Sequence, residues 1–160
     1  MPEITRSVLR HRRPRGTRNT VPPERPKPAD ALVCACGLYQ MRGIWHEGHP
    51  PLGELREGTC PACERQRSGA AAGRLHVPER LVEPLEDVVG LIQNCERHER
   101  AEHPLERLME IRKDRSGLWV TTTGPHLARR IAHGLARRFH EKPRFRFGAG
   151  RGELRIDWQA

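Results

Sequence analysis

The sequence of 160 residues lacks an apolar run long enough to span a bilayer. Its first residues are polar and rich in arginine, unlike the apolar centre of a secretory signal. We therefore expect a soluble, cytoplasmic protein that makes no membrane contact. The length is that of one ordinary domain or two small ones.

Lysine is scarce, since only three of the 29 basic residues are lysine. Arginine suits phosphate recognition and base stacking better than lysine does. A GC-rich genome would also favour arginine, so composition alone leaves both explanations open. The charge is unevenly spread: residues 1–30 carry eight bases against three acids, residues 75–123 seven against ten, and residues 124–151 eight against one. Two basic regions on either side of an acidic one predict binding to a polyanion.

The chain has only five cysteines, and in an intracellular chain we do not expect them to form a disulfide framework. Four of the five form two tight pairs, in "VCACG" and "TCPAC", separated by 23 residues. Pairs in glycine- and proline-rich turns predict a tetrahedral structural zinc site. The predicted ligands are Cys34, Cys36, Cys60 and Cys63.

The first pair has the spacing C-x-C, one residue shorter than the usual C-x-x-C turn. One thiolate of that pair can therefore fall outside the site, and His46 or His49 is near enough in sequence to replace Cys34. A different alternative has no metal at all, with reduced cysteines packing a small ribbon. A closed four-ligand site would hold the fold and leave no position for catalysis.

Hydrophobic periodicity divides the chain into three segments. Residues 1–30 contain six prolines and no periodic pattern, which predicts a disordered basic arm. Residues 31–74 are predicted to form a zinc-ribbon-like segment that ends in a flexible joint, "SGAAAG" (68–73). Residues 75–160 are predicted to form an α+β domain: a helix followed by a ββαββ unit, with helices covering an antiparallel sheet.

The first half of this domain contains a predicted helix and a predicted strand pair. Apolar residues at three- and four-residue steps predict a helix from Pro84 to about Ala101, on whose apolar stripe Cys95 is expected to be a small buried residue. Alternation around the turn "DRSG" predicts two strands between Met109 and Thr122. The first of them also fits a helical period.

The second half contains the clearest helix of the chain, "TGPHLARRIAHGLARRF". Thr123 is the expected N-cap, Pro125 fits the first turn, and an apolar residue recurs at every fourth position. Two further strands are predicted at 144–147 and 153–158. Their period of two is expected to turn one set of side chains inward, namely Phe145, Phe147, Leu154, Ile156 and Trp158.

The cysteine pairs, "AEHPLER" (101–107) and "GLWVTTTGPHLARRIAHGL" (117–135) together resemble a known family. They are similar to bacterial relatives of the ribosomal large-subunit export adaptor family, the third of the proteins named for nonsense-mediated decay. The resemblance covers residues 31–160 and implies zinc-binding cysteine pairs, a following α/β segment, and contact with RNA or the ribosome. The chain departs from the family at its C-x-C pair. It also ends at Ala160, without the export signals of the eukaryotic members, so no export role is implied.

The expected function is RNA binding by a ribosome-associated protein, through salt-dependent arginine–phosphate contacts with little sequence discrimination. The candidate contacts are the arginines of the arm, of the basic helix and of the "RFRF" strand: Arg10, Arg12, Arg13, Arg15, Arg18, Arg129, Arg130, Arg137, Arg138, Arg144 and Arg146.

Two other functions are weighed against RNA binding. In the first, a zinc-stabilised adaptor binds a protein partner, and the acidic stretch 79–114 either binds that partner or docks on residues 124–151 of the same chain. In the second, the chain is an enzyme. The sequence shows no Ser/His/Asp set, carboxylate pair in an apolar setting or phosphate-binding loop, and "GAGRG" lies between two strands rather than before a helix. We therefore expect no enzymatic activity.

Overall fold

The computed structural model describes residues 30–149 and 152–159. The predicted disordered arm and its five candidate arginines (Arg10, Arg12, Arg13, Arg15 and Arg18) lie outside the described residues. Within them, three α-helices and two mixed sheets form an α+β architecture. None of these helices combines the length and the apolar composition needed to cross a membrane.

The first sheet belongs to the cysteine segment. Its strands are β1 (Ala31–Cys34), β2 (Leu38–Met41), β3 (Ile44–Glu47) and β4 (Leu55–Gly58). The order is β3-β2-β1-β4, with β1 parallel to β4 and the other neighbours antiparallel. The helix α1 (Pro61–Ser68) follows β4. Its small core has four buried residues, and two of these are cysteines: Cys34, Leu38, Cys60 and Ala62.

The second sheet has five strands in the order β6-β7-β5-β9-β8. They are β5 (Gly73–Pro78), β6 (Leu108–Asp114), β7 (Gly117–Thr122), β8 (Arg144–Phe147) and β9 (Leu154–Asp157). The prediction of an antiparallel sheet is wrong for one pair, because β5 and β9 are parallel. The helix plus ββαββ order is present, but it is preceded by β5, which the sequence analysis did not predict. This strand begins inside the predicted joint 68–73 and spans the predicted boundary at residue 74.

Two helices cover one face of this sheet, α2 (Leu85–Glu102) and α3 (Pro125–Phe139). Alternate side chains of β5, β7 and β9 point toward them, and Leu127, Ile131 and Leu135 of α3 are fully buried against these strands. The predicted strand pair at 109–122 is confirmed, and so is the first helix, whose Cys95 is partly buried against the core. The residues predicted inward in the last strand, Leu154, Ile156 and Trp158, are buried as well.

The two phenylalanines of β8 are not part of this core, which corrects the prediction that they face inward. Phe145 is 36% exposed and Phe147 is 73% exposed. Their register with Ile156 and Leu154 does place them on the side of the sheet that carries the helices. However, β8 is an edge strand, and α3 packs on β5, β7 and β9, so Phe145 lies at the margin of α3 and Phe147 remains exposed.

The start of α3 also differs from the prediction, because the N-cap is Gly124 and not Thr123. The Thr123 hydroxyl donates to the carbonyl of Leu105 at 2.6 Å and accepts from the N–H of Arg107 at 2.8 Å. A side chain from outside the helix satisfies one of its first N–H groups, because the buried carboxylate of Glu106 accepts the Leu127 N–H at 2.9 Å. A negative group at a helix N-terminus satisfies a free donor and opposes the helix dipole. Residues 105–107 are thereby fixed against α3.

Candidate metal centre

The first cysteine pair lies in the turn between β1 and β2. Cys34 is the last residue of β1, and the turn is closed by the Gly37 N–H, which donates to the Cys34 carbonyl at 3.0 Å. Gly37 has a φ of 89°, a left-handed conformation that favours glycine. The turn therefore reverses the chain within three residues and brings the Cys36 sulfur back toward Cys34.

The second pair lies at the start of α1. Cys60 is the N-cap, Pro61 occupies the first turn, and the Cys63 N–H donates to the Cys60 sulfur at 3.4 Å. Proline suits this position because its fixed φ matches the helix and its missing N–H is not needed there. The partial positive charge of a helix N-terminus also favours thiolates at both positions. The expected C-x-x-C turn is thus the first turn of a helix.

Parallel pairing of β1 and β4 brings the two pairs together. Cys34 is opposite Gly58 in the register, so Cys60 follows directly at the same end of the sheet, and its N–H donates to the Cys34 sulfur at 3.3 Å. All four sulfurs lie within 4.8 Å of one another, and the sulfurs of Cys36 and Cys60 are 3.6 Å apart. The structure therefore gathers all four predicted cysteines into one cluster that can hold a metal ion.

The histidines considered as replacements for Cys34 are not members of this cluster. The ring of His46 instead stacks on Tyr39, with 5.2 Å between ring centroids. Cys34 itself is only 3% exposed and accepts the backbone hydrogen bond described above. The short spacing of the first pair is accommodated by the strand-to-turn geometry, which lets both of its sulfurs reach the cluster.

Arg107 is a buried cation beside the cluster that the sequence analysis missed. It is 7% exposed, and its guanidinium donates to the sulfur of Cys36 at 3.3 Å and to that of Cys63 at 3.9 Å. Its Nε donates to the Pro104 carbonyl at 3.3 Å, which fixes the plane of the group. Nothing in the local sequence distinguishes it from nearby exposed arginines, because its partners lie 44 and 71 positions away.

The thiols of the cluster have divergent acidities. Burial raises the pKa of Cys36, but the Leu38 N–H and the Arg107 guanidinium outweigh it and lower the pKa to about 6. Burial and the neighbouring cysteines raise the pKa of Cys63 to about 12, and burial also raises that of Cys60. Adjacent thiolates repel one another, so a bound cation is what allows all four to be ionised together.

The candidate arginines of the basic helix divide into two groups. Arg130 pairs with Glu99 of α2, and Arg138 pairs with Asp87 of the same helix at 2.7 Å. The acidic stretch thus docks on the basic helix within the chain, as one of the alternatives expected. Arg129 and Arg137 are exposed instead, and neither has a carboxylate within 4.0 Å among the described residues.

The exposed face of α3 continues onto the edge strand β8. The ring of His133 lies against Phe145, with 5.6 Å between centroids. We call this the α3–β8 surface, and it consists of Arg129, His133, Arg137, His140, Arg144, Phe145, Arg146 and Phe147. Arg146 lies 3.6 Å from Asp157 and is itself 63% exposed. The basic helix and the "RFRF" strand, adjacent in sequence, are therefore also adjacent in space.

Comparison of the chain with protein-family models, curated proteins and solved structures finds no match.

Proposed function

We propose that this chain is a non-enzymatic, ribosome-associated RNA-binding protein that contains a structural zinc ion. The observation that carries the proposal is the α3–β8 surface, where the arginines and histidines of α3 adjoin the exposed phenylalanines of β8, and Arg144 and Arg146 flank them on the other side of that edge strand. Arginines bind phosphates, and exposed aromatic rings stack on bases, so such a face matches an RNA strand. The resemblance to the ribosomal export adaptor family favours the same partner.

The charge on this surface supports the proposal because little of it is neutralised within the fold. The only acid among residues 124–151 is Glu141, and it pairs with Arg80 at 2.6 Å. The pairs that Arg130 and Arg138 make with α2 assign those two side chains to helix packing. Arg129, Arg137 and Arg144 are exposed and are the proposed phosphate contacts.

The donor set supports zinc as the metal. Four thiolates at Zn–S distances of roughly 2.3 Å form a tetrahedron with about 3.8 Å between sulfurs. The cluster lies near this geometry, with sulfurs 3.6 Å apart in one pair and within 4.8 Å throughout. A complete four-sulfur set is typical of structural sites and leaves no position for a reacting water. The hydrogen bonds from Arg107 would then orient and partly neutralise the ligands.

A second candidate function, a protein–protein adaptor, is favoured by apolar side chains on the edges of the first sheet. Ile44 of β3 is 62% exposed and Leu55 of β4 is 54% exposed. Large apolar residues on exposed sheet edges are typical of protein contacts. Binding of this kind would depend little on salt, which distinguishes it from arginine–phosphate contacts.

The test is co-sedimentation of the full chain with separated ribosomal subunits, in salt from roughly 50 to 500 mM. We expect pelleting with one subunit at the lowest salt and release as the salt rises. Replacing Arg129 and Arg137 by alanine should lower the slope of log affinity against log salt by about 1.5, because two phosphate contacts are lost.

The matched control removes two exposed arginines outside the α3–β8 surface, Arg97 and Arg115, and therefore has the same net charge. It should pellet like the wild-type chain. Failure of the wild-type chain to pellet with either subunit at the lowest salt would overturn the ribosome proposal. Equal loss of binding in both double variants would show that total charge, and not this surface, determines binding.

A further inference from the structure

Within residues 30–149 and 152–159, one face of the second sheet is covered by no helix. Since α2 and α3 pack on the side of Leu75, Leu118 and Ile156, the alternate residues of each strand face the opposite side. The register aligns these residues in two rows across all five strands. In the order β6-β7-β5-β9-β8, the first row is Arg112, Trp119, His76, Asp157 and Arg144, and the second is Glu110, Thr121, Arg74, Arg155 and Arg146. We call this the open face.

An aromatic pair lies in the middle of the open face. Trp119 is 38% exposed, and its ring lies 4.2 Å from that of His76, with 31° between the planes. The Trp119 Nε1–H donates to Asp114 at 2.9 Å, and the His76 Nε2 lies 3.1 Å from the Ser116 hydroxyl. Both rings are therefore held in place by hydrogen bonds at their edges, which leaves ring surface free for stacking.

A depression of about 450 Å³ adjoins this pair. Its volume falls in the range of roughly 300–1,000 Å³ that is typical of small-ligand sites. Its wall contains the charged side chains of Arg74, Arg155 and Asp157, together with His76, Trp119 and the strand residues Leu75 and Ile156. The open face thus combines an aromatic floor with a rim that includes two arginines.

The arginines of the open face extend further into solvent than the acids with which they pair. Arg155 is 63% exposed and Arg74 is 46% exposed, whereas their shared partner Glu153 is 28% exposed. Arg146 is likewise 63% exposed and its partner Asp157 is 32% exposed. Arg112 is 56% exposed and its partner Asp114 is 36% exposed. The carboxylates position the guanidiniums near the sheet, and apart from the exposed Glu110 the outer layer of the face is positive. This arrangement favours an anionic ligand.

We propose that the open face binds single-stranded RNA, with a base stacked on the Trp119–His76 pair and phosphates held by Arg74, Arg112, Arg146 and Arg155. This inference rests on the proposed RNA-binding function and adds the strandedness of the ligand and the stacking residue. The outer ring face of this aromatic pair accepts the face of a base, which a duplex keeps inside its own stack. Arg144 and Arg146 of β8 also belong to the α3–β8 surface, so one strand can run from the open face around the sheet edge onto α3.

The test measures binding of the full chain to a fluorescein-labelled oligouridylate of about 12 nucleotides, by fluorescence anisotropy at low salt. Stacking on Trp119 should be lost in Trp119→Leu, which we expect to bind about 5- to 100-fold more weakly. Trp119→Phe keeps an aromatic ring and should bind within a few-fold of wild type. A duplex of the same length should show no dependence on residue 119.

A second variant keeps the test decisive if Trp119→Leu is unstable. Arg155→Ala removes an exposed guanidinium from the rim of the depression and should weaken oligouridylate binding several-fold. Its matched control, Arg115→Ala, removes an exposed arginine of the β6–β7 turn and should have no such effect. Circular dichroism of each variant verifies that the fold is retained.

The outcomes separate this inference from the proposed function. Unchanged oligouridylate binding by a folded Trp119→Leu, or by Arg155→Ala, would overturn the role of the open face and leave the RNA-binding proposal intact. The same holds if the wild-type chain pellets with a ribosomal subunit but does not bind oligouridylate. If it binds neither, the proposed function fails and this inference fails with it.

Discussion

At the scale of single residues, Leu105, Glu106 and Arg107 connect the cysteine cluster to the larger domain. Leu105 packs against the small core around the cysteines, and Arg107 donates to two of their sulfurs. Glu106, between them, caps α3 through the N–H of Leu127. Three consecutive side chains therefore contact two different parts of the structure. A shift of the backbone at the cysteine cluster would move Glu106 and so change the capping of α3.

Replacement of Arg107 by alanine should weaken metal retention by about 10- to 100-fold, the usual effect of removing a hydrogen-bond partner of a metal ligand. The physical reason is that the Cys36 and Cys63 sulfurs would lose a buried positive neighbour. Competition against a chromophoric chelator measures this directly. Arg107→Lys keeps the positive charge but cannot donate to both sulfurs with the geometry of a guanidinium. Its metal affinity should therefore lie between those of Arg107→Ala and the wild-type chain. An affinity equal to that of the Arg115→Ala control would contradict the prediction.

At the scale of elements, β5 is the strand on which the larger domain is organised. It pairs with β7 on one side and β9 on the other, and α3 packs across it. Its first residue is Gly73, and a Cβ there would lie 2.1 Å from the Thr122 hydroxyl and 2.5 Å from the Ala128 Cβ. This glycine is therefore required by close packing between β5, β7 and α3.

Gly73→Ala should lower the free energy of unfolding by about 1–3 kcal/mol, because the neighbouring side chains have to shift. The matched control is Gly90→Ala in the exposed part of α2, where a Cβ would meet nothing within 4 Å. That substitution should instead raise the free energy of unfolding, by about 0.5–1 kcal/mol, through helix propensity. Urea titrations followed by circular dichroism measure both. Equal signs for the two variants would refute the packing argument.

Local patterns in the sequence were sufficient to predict both long helices, the β6–β7 pair and all four cysteines of the cluster. Each of these depends on residues a few positions apart. The strand β5 was missed because its first residue belongs to a segment rich in alanine and glycine, and because its partners are far away in sequence. The contacts of Arg107 with the cysteines and the parallel pairing of β5 with β9 could not be predicted for the same reason, because the partners are far apart in sequence. The alternation that predicted an inward Phe145 identified the correct side of the sheet. It contained no information on which strands α3 covers.

Trp119 illustrates a signal that the sequence did contain. Leu118 and Val120 alternate in "GLWVTT" and are buried in the structure, and the same alternation puts the tryptophan between them on the opposite face. A large aromatic residue on the outer side of a strand is a candidate binding residue. What the sequence could not supply was its neighbour His76, since that residue lies on the strand that was missed.

At the scale of the whole molecule, the protein has two cores of unequal size. The larger contains 16 buried residues, from α2, α3, the second sheet and the short segments that follow β5 and β9, and none of them is a cysteine of the cluster. The smaller contains four buried residues, of which two are such cysteines. A metal ion held by the four cysteines would therefore stabilise chiefly the part of the chain that buries the least apolar surface.

We expect one zinc ion per chain by elemental analysis, and selective unfolding when a chelator removes it. Amide hydrogen exchange should show loss of protection in β1–β4 and α1, while α2, α3 and β5 stay protected, because their core contains no metal ligand. The control is readdition of zinc, which should restore protection in the first sheet. Loss of protection in α2 and α3 on chelation would show that the two cores unfold together and would contradict this division.

The parallel pairing of β5 with β9 also bears on how the chain folds during translation. Gly73 pairs with Leu154, so a ribosome has to add 81 residues after Gly73 before its partner residue exists. At about 5–20 residues per second, that interval lasts roughly 4 to 16 s. Throughout it, the edge of β5 that pairs with β9 is unpaired, and the opposite edge is unpaired as well until β7 has been made. A nascent chain in that state is open to pairing with other strands, and slow codons between β5 and β9 would lengthen the exposure.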